Sequence, residues 1–132
     1  MWWFETEHCK IRFIDEVNAV NIKWFGSPPS QLFRIACNKA LELMIEKKAA
    51  KFLTDNSNAV VFSVHDQTWL NEEWLPKAKK NGYKASAVLL NPKEGFTKFA
   101  VSNIIKKRST EFISKTFTNE AEAINWLKEL NV

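Results

Sequence analysis

Glycine, proline and cysteine are scarce in this sequence, which has three Gly, four Pro and two Cys in 132 residues. So few Gly and Pro exclude collagen-like and low-complexity chains, and 45% hydrophobic residues exclude intrinsic disorder. Cys9 and Cys37 could pair with each other, but two cysteines give neither a disulfide framework nor a metal-ligand spacing. We therefore expect a globular protein with two buried free thiols, without a metal site or a cofactor.

Long apolar runs are missing as well. The start of the chain, Met-Trp-Trp-Phe-Glu-Thr-Glu-His, has neither the basic region nor the apolar stretch of a signal peptide. Elsewhere the longest uncharged apolar run is far shorter than the roughly 18 residues that a membrane span needs. The expectation is a cytoplasmic protein without a transmembrane segment.

Enzyme motifs are also lacking. The three glycines stand apart, so the sequence has no glycine-rich phosphate loop. His8 and Cys9 are neighbours on a predicted strand and should point to opposite faces. Ser63, His65 and Asp66 lie within one helical turn, where a catalytic triad has no workable geometry, and Ser63 is better explained as a helix N-cap. We predict no catalytic, cofactor-binding or metal-binding residues.

Aromatic residues are abundant by contrast: ten Phe, six Trp and one Tyr. They supply much apolar area to a chain whose length is typical of one domain. We expect a single domain over residues 1–132 with a core of its own.

Apolar and polar positions alternate in the first 25 residues, as in Val20-Asn21-Ile22-Lys23-Trp24. A period of two predicts strands, and the connections between them are short enough only for hairpins. We expect an antiparallel meander over residues 2–8, 10–15 and 18–25.

Helices and strands alternate after the meander. Ser27 is a candidate N-cap with Pro28 at the first helical position, and the amphipathic helix that follows should end near Lys48. Pro76 lies inside a second helical pattern and should kink it, because proline has no N–H to donate. The later elements are predicted as a strand at 50–54, a turn at 55–58, an apolar segment at 59–62, a helix at 64–80, a strand at 85–90, a helix at 96–108, a strand at 111–117 and a last helix capped by Thr118 or Asn119.

The resulting order, β-β-β-α-β-α-β-α-β-α, predicts an α/β fold with a mixed sheet that opens on an antiparallel meander. The strand at 85–90 is apolar throughout and should be buried on both faces at the sheet centre. Right-handed crossovers should place the helices against the sheet, and we expect all four helices to cover one face.

Several short motifs in this order resemble those of STAS/SpoIIAA-like domains, which include short bacterial STAS/SEC14-domain proteins. The resemblance spans nearly the whole chain and implies a SpoIIAA-like fold and a regulatory or binding role. It is carried by Leu53-Thr54-Asp55, by Trp69-Leu70-Asn71-Glu72-Glu73-Trp74-Leu75-Pro76, by Gly82 and by Glu122-Ala123-Ile124-Asn125-Trp126-Leu127.

The resemblance also implies one regulatory residue and one ligand class. The family's phosphorylatable serine matches Ser57, but here the motif reads Asp55-Asn56-Ser57-Asn58, without the usual glycine. We interpret Ser57 first as a turn residue that bonds its own backbone, and second as a phosphorylation site. Larger lipid-transfer relatives imply a small apolar ligand.

Positive charge is concentrated in residues 77–108, which hold nine basic residues and one acid. This segment carries +8, whereas the rest of the chain sums to −4. Lys79, Lys80 and Lys84 are candidates to face an anion. We prefer a solvated lysine face and consider nucleic-acid binding unlikely.

Trp3 and Trp24 are predicted surface residues of the meander. If helices cover one sheet face, large aromatic side chains remain on the other face or on an edge, where they mark an interface. We expect a homodimer through these residues.

Three classes of function follow. The preferred one is a non-enzymatic binding or regulatory domain that acts through a protein partner or a small apolar ligand. The alternatives are nucleic-acid or anionic-surface binding through residues 77–108, and an enzyme of unrecognised type.

Overall fold

The computed structural model describes residues 2–59, 61–91 and 113–132. Six strands in these ranges form one sheet whose order follows the chain. They are β1 (Phe4–Glu5), β2 (Cys9–Ile14), β3 (Ala19–Gly26), β4 (Lys51–Ala59), β5 (Ala85–Leu89) and β6 (Ile113–Phe117). Strands β1 to β3 pair antiparallel, and strands β3 to β6 pair parallel. The predicted meander and mixed sheet are confirmed.

Helices connect and flank these strands. They are α1 (Ser30–Lys47), α2 (Val64–Trp69), a π-helical turn (Leu70–Trp74), α3 (Leu75–Lys80) and α4 (Glu120–Glu129). The alternation of helices and strands confirms the predicted fold class. The predicted helix at 96–108 lies outside the described residues. In the part of the chain that is described, no helix has the length and apolar character needed to cross a bilayer.

Helix α1 begins two residues later than predicted. The N-cap position belongs to Pro29, with φ −60° and ψ 148°, so the predicted Ser27 cap is wrong. The cause is the Pro28-Pro29 pair, because a residue that precedes proline is disfavoured in the helical conformation. Pro28 therefore cannot serve as a first helical residue.

The second helical segment is distorted where Pro76 predicts it. A π-helical turn occupies Leu70–Trp74, immediately before α3, which carries Pro76 in its first turn. Proline has no N–H to donate to the carbonyl one turn earlier, and its ring clashes with that carbonyl. The wider π-helical turn accommodates the missing hydrogen bond and the ring. At the start of α2, Ser63 Oγ accepts a hydrogen bond from the Asp66 N–H at 3.0 Å, which confirms the predicted cap.

Strand β4 continues through residues 55–58, where a turn is predicted, so that prediction is wrong. Lys23 pairs with Asp55 and Phe25 with Asn58, which leaves one extra residue in β4 and forms a bulge. The Ser57 N–H donates to Asp55 Oδ1 at 3.0 Å across the bulge. The polar residues there mark a local irregularity inside a strand rather than its end.

Helices lie on both faces of the sheet, which corrects the prediction that all of them cover one face. Val20 and Phe52 join the core under α1, α2 and α3, whereas their neighbours Ala19 and Leu53 join a second core with Leu127 of α4. The crossovers through α1 and through α2–α3 run in the same direction and take the same face. Helix α4 follows the last strand and is free to fold onto the other face.

Partly buried polar contacts fix three of the helices. The Ser30 hydroxyl donates to Asp66 Oδ2 at 2.8 Å, and Arg34 Nε lies 3.5 Å from Asp66 Oδ1, which joins α1 to α2. On the other face, Lys51 Nζ donates to the Leu127 carbonyl at 2.6 Å and joins β4 to α4. Desolvation at this contact lowers the pKa of Lys51.

Candidate functional site

A cavity of about 60 Å³ lies between the sheet, helix α1 and the π-helical turn. Ile22, Thr54 and Val88 contribute to its wall from three neighbouring strands, and Cys37 and Ala40 from α1. Six aromatic side chains complete most of the wall: Trp24, Phe33, Phe52, Phe62, Trp74 and Tyr83. The cavity is therefore almost entirely lined by carbon.

The aromatic rings pack against one another around this space. Trp24 stacks on Phe33 with ring centroids 5.0 Å apart, and Phe52 packs on Tyr83 at 4.8 Å. Trp74 contacts both Phe52 and Tyr83, and its indole N–H donates to the Cys37 carbonyl at 2.9 Å. That bond uses the only donor of the Trp74 side chain and holds its ring in place.

Asn56 is a buried polar residue in the wall. The alternation of β4 places it on the same face as Phe52 and Thr54, one residue before Ser57 in the bulge. Its side chain is 4% exposed, and within the described chain Oδ1 has no hydrogen-bond partner. An unsatisfied buried acceptor costs about 1–3 kcal/mol. Sequence reasoning missed this residue because it assigned residues 55–58 to a surface turn.

The thiol of Cys37 also lines the cavity. Burial raises its pKa well above the ordinary value, and the negative charges of the Cys9 thiolate, when it forms, and of Asp66 act in the same direction. Burial also raises the pKa of Cys9, to about 12. Both cysteines are free and buried, as predicted. They are held as neutral thiols, which are poor nucleophiles and poor metal ligands.

Ser57 lies beside the cavity residue Asn56 but bonds to a different neighbour. Its N–H and its hydroxyl both donate to Asp55 Oδ1. The other oxygen of Asp55, Oδ2, lies 3.8 Å from Lys23 Nζ. The half-buried serine is thus part of a local polar cluster on the bulge.

The candidate anion-facing lysines lie away from the cavity. Lys79 and Lys80 are in the last turn of α3, and Lys84 directly precedes β5. Lys80 and Lys84 are exposed, Lys79 is half-buried, and the Lys84 N–H donates to the Ala50 carbonyl at 2.9 Å. Residues 92–108 of the basic segment lie outside the described residues.

The two candidate interface tryptophans occupy different environments. Trp3 is 49% exposed beside the edge strand β1. Trp24 is only 3% exposed, so its predicted place on the surface is wrong. It points from β3 toward α1, where Phe33 and Phe62 cover its ring. Trp24 is a cavity residue and Trp3 a surface residue.

The mixed six-stranded sheet, with its antiparallel opening and helices on both faces, defines an α/β protein of SpoIIAA-like fold. Among solved structures, the chain is similar to an uncharacterized protein from the DUF3478 family with a SpoIIAA-like fold, from Shewanella loihica PV-4. The TM-score is 0.63 at 18% identity, over 94% of this chain and 98% of that one. The resemblance seen in the sequence is therefore confirmed for the fold.

Sequence comparisons add no relative to this structural one. No protein-family model matches the chain, and the comparison with curated proteins gives no match.

Proposed function

We propose that this protein is a non-enzymatic binding domain that holds a small, largely apolar ligand in the cavity between the sheet, helix α1 and the π-helical turn. The observation that carries the proposal is the cavity itself, where six aromatic side chains surround a space whose wall also includes the buried residue Asn56. Protein interiors are otherwise packed as densely as organic crystals. Ligand sites characteristically combine an apolar wall with a few placed polar groups.

The volume sets the size and the affinity of the ligand. One water needs about 10–15 Å³ of such space, so about 60 Å³ accommodates roughly five non-hydrogen atoms. Very small ligands gain at most about 1.5 kcal/mol per atom. The affinity ceiling is therefore in the micromolar range, and binding must be measured at micromolar to millimolar ligand concentrations.

A cavity-filling substitution tests the proposal. Ala40 lines the cavity from α1, and Ala36, one turn earlier, is equally buried but is not part of the wall. Leucine at position 40 should occupy the space, keep the fold and abolish binding of furan, an apolar ring of suitable size. Binding is followed through the NMR shift of the Trp74 indole N–H.

The matched control is Ala36→Leu, which forces the same extra atoms into a packed region and should lower the stability by about 1–3 kcal/mol. Equal destabilisation by both substitutions would show that the cavity offers no usable space. Undiminished furan binding by Ala40→Leu would place the ligand elsewhere.

A further inference from the structure

Lysine side chains from two helices and a connecting segment collect at one end of the molecule. Helix α1 ends shortly before β4, and α3 ends shortly before β5. Because β4 and β5 run parallel, both helix ends lie at the edge of the sheet where these strands begin. The Lys84 and Ala85 N–H groups both donate to the Ala50 carbonyl, at 2.9 and 3.1 Å, and hold the two connections together. We call this surface the basic end and define it by five exposed lysines: Lys47, Lys48, Lys77, Lys80 and Lys84.

The basic end carries positive charge that the described chain does not neutralise. Its five lysines and the neighbouring Glu46 sum to +4. The ion pairs of the described residues all form at other lysine and arginine side chains. Asp15 and Glu16 belong to the turn between β2 and β3, which packs against α4 on the other face of the sheet. The excess charge therefore suits an anionic partner.

An exposed apolar side chain lies among these lysines. Ile45 is 46% exposed in the last turn of α1, and it lines a groove between α1 and α3 together with Lys77. Lys48 follows Ile45 about one turn later, at the C-cap of α1. A partner that approaches the basic end meets positive charge and an apolar group at the same time.

We infer that the basic end docks the protein onto an anionic lipid bilayer, with the lysines at the lipid phosphates and Ile45 in the headgroup region. Clustered lysines are attracted to the negative surface potential of such a bilayer, and an apolar side chain adds burial to that attraction. Neither Ile45 nor any lysine of the basic end belongs to the cavity wall. The inference therefore goes beyond the proposed function and does not depend on it.

Nucleic acid matches this surface less well than a bilayer does. Base readout uses arginine for bidentate contacts, and single strands stack on exposed aromatic rings. The cations of the basic end are all lysines, and the nearby Tyr83 is 3% exposed because it packs against Phe52 and Trp74. An exposed isoleucine gains nothing from a phosphate backbone, whereas the headgroup region of a bilayer buries it.

Vesicle binding tests the role of charge. The protein should bind vesicles of phosphatidylcholine with one third phosphatidylserine, and not phosphatidylcholine alone, in about 0.1 M salt. Each lysine near the anionic surface contributes about fivefold in affinity, so Lys48→Gln/Lys84→Gln should bind about 25-fold more weakly. Lys10→Gln/Lys115→Gln is the matched control, because it removes the same charge from β2 and β6, away from the basic end. It should bind nearly as well as the wild type.

Two isoleucines of α1 test the orientation of the protein on the bilayer. Ile35 is 44% exposed, almost as much as Ile45, but it lies ten residues earlier on the same helix, about 15 Å along its axis. Ile45→Ser should weaken binding to the anionic vesicles about fivefold, because it removes an apolar side chain that the headgroup region buries. Ile35→Ser should leave binding unchanged.

The results separate the bilayer from its alternatives. No binding to either vesicle, or equal binding to both, overturns the inference. Equal losses from the two double lysine variants would show that only net charge matters, and equal losses from the two isoleucine variants would reject the docked orientation. Tighter binding to a DNA duplex than to the anionic vesicles, weakened by Lys48→Gln/Lys84→Gln and unaffected by Ile45→Ser, would assign the basic end to nucleic acid instead.

Discussion

A single carboxylate oxygen, Asp55 Oδ1, accepts both the N–H and the hydroxyl of Ser57. The hydroxyl is thus committed to a local bond on the bulge. We predict that Ser57→Ala lowers the stability by about 1 kcal/mol and leaves furan binding unchanged, because the backbone N–H bond to Asp55 remains. Urea unfolding and NMR titration measure these two effects.

The phosphorylation alternative for Ser57 makes the opposite prediction. A second negative charge beside Asp55 would be repelled there, so Ser57→Asp mimics its effect on the bulge. If Ser57→Asp releases a bound partner or ligand while Ser57→Ala does not, Ser57 is a switch and its role is not limited to the local bond with Asp55.

The two buried thiols lower the folding stability of the protein at alkaline pH. The pKa of Cys9 rises from 9.0 to about 12 in the folded chain, and that of Cys37 rises well above 9.0, in both cases chiefly by burial. Above pH 9 the unfolded chain releases these protons and the folded chain keeps them. The stability is therefore complete below pH 9 and falls as the pH rises toward 12, by up to about 1.4 kcal/mol per pH unit and thiol.

The double variant Cys9→Ala/Cys37→Ala isolates this effect. It should be less stable at pH 7 because two buried side chains become smaller, but its unfolding free energy should fall less between pH 8 and pH 10.5. All other residues are the same in both proteins, so the difference between the two pH profiles reports the two thiols. Parallel pH profiles would refute the assignment.

At the scale of helices and strands, the sequence predicts correctly those features that a few neighbouring residues determine. Ser63 caps α2, Pro76 distorts its helix, and the Asn119 side chain accepts the Glu122 N–H at 3.0 Å as one of the two predicted caps. The apolar strand at 85–90 is buried and lies between two parallel neighbours, as its composition indicates, but the described sheet ends one strand further on at β6, so its predicted place at the sheet centre is wrong. Each of these features depends on residues within one turn or one strand.

The predictions from sequence fail where pairing with a neighbouring strand determines the local structure. Asp55 and Asn56 have the composition of a turn, but pairing with β3 keeps the backbone extended and places the extra residue in a bulge. The cavity could not be predicted for the same reason. Its wall is formed by β3, β4, β5 and two helical segments. Whether Asn56 Oδ1 has a hydrogen-bond partner depends on the residues that all of these elements place around it.

At the scale of the whole molecule, the predicted homodimer now depends on Trp3 and not on Trp24. The burial of Trp24 in the cavity wall removes it from the available surface, while Trp3 remains 49% exposed. Beside it, β1 consists of only Phe4–Glu5, and the Trp3 N–H is already bonded to the Ile11 carbonyl at 2.8 Å. So short an edge limits strand-to-strand pairing, and a dimer must instead bury the Trp3 side chain.

We therefore expect a dimer at micromolar concentration that Trp3→Ser converts to monomer. Trp2→Ser is the matched control, because Trp2 is half-buried within the chain. The Arg12 Cζ atom lies over its ring, 4.8 Å from the ring centroid. Loss of Trp2 should weaken this internal contact and leave the association intact. Sedimentation velocity distinguishes the two states. A wild type that sediments as a monomer, or a dimer that Trp3→Ser leaves unchanged, would show that this surface is no interface between copies.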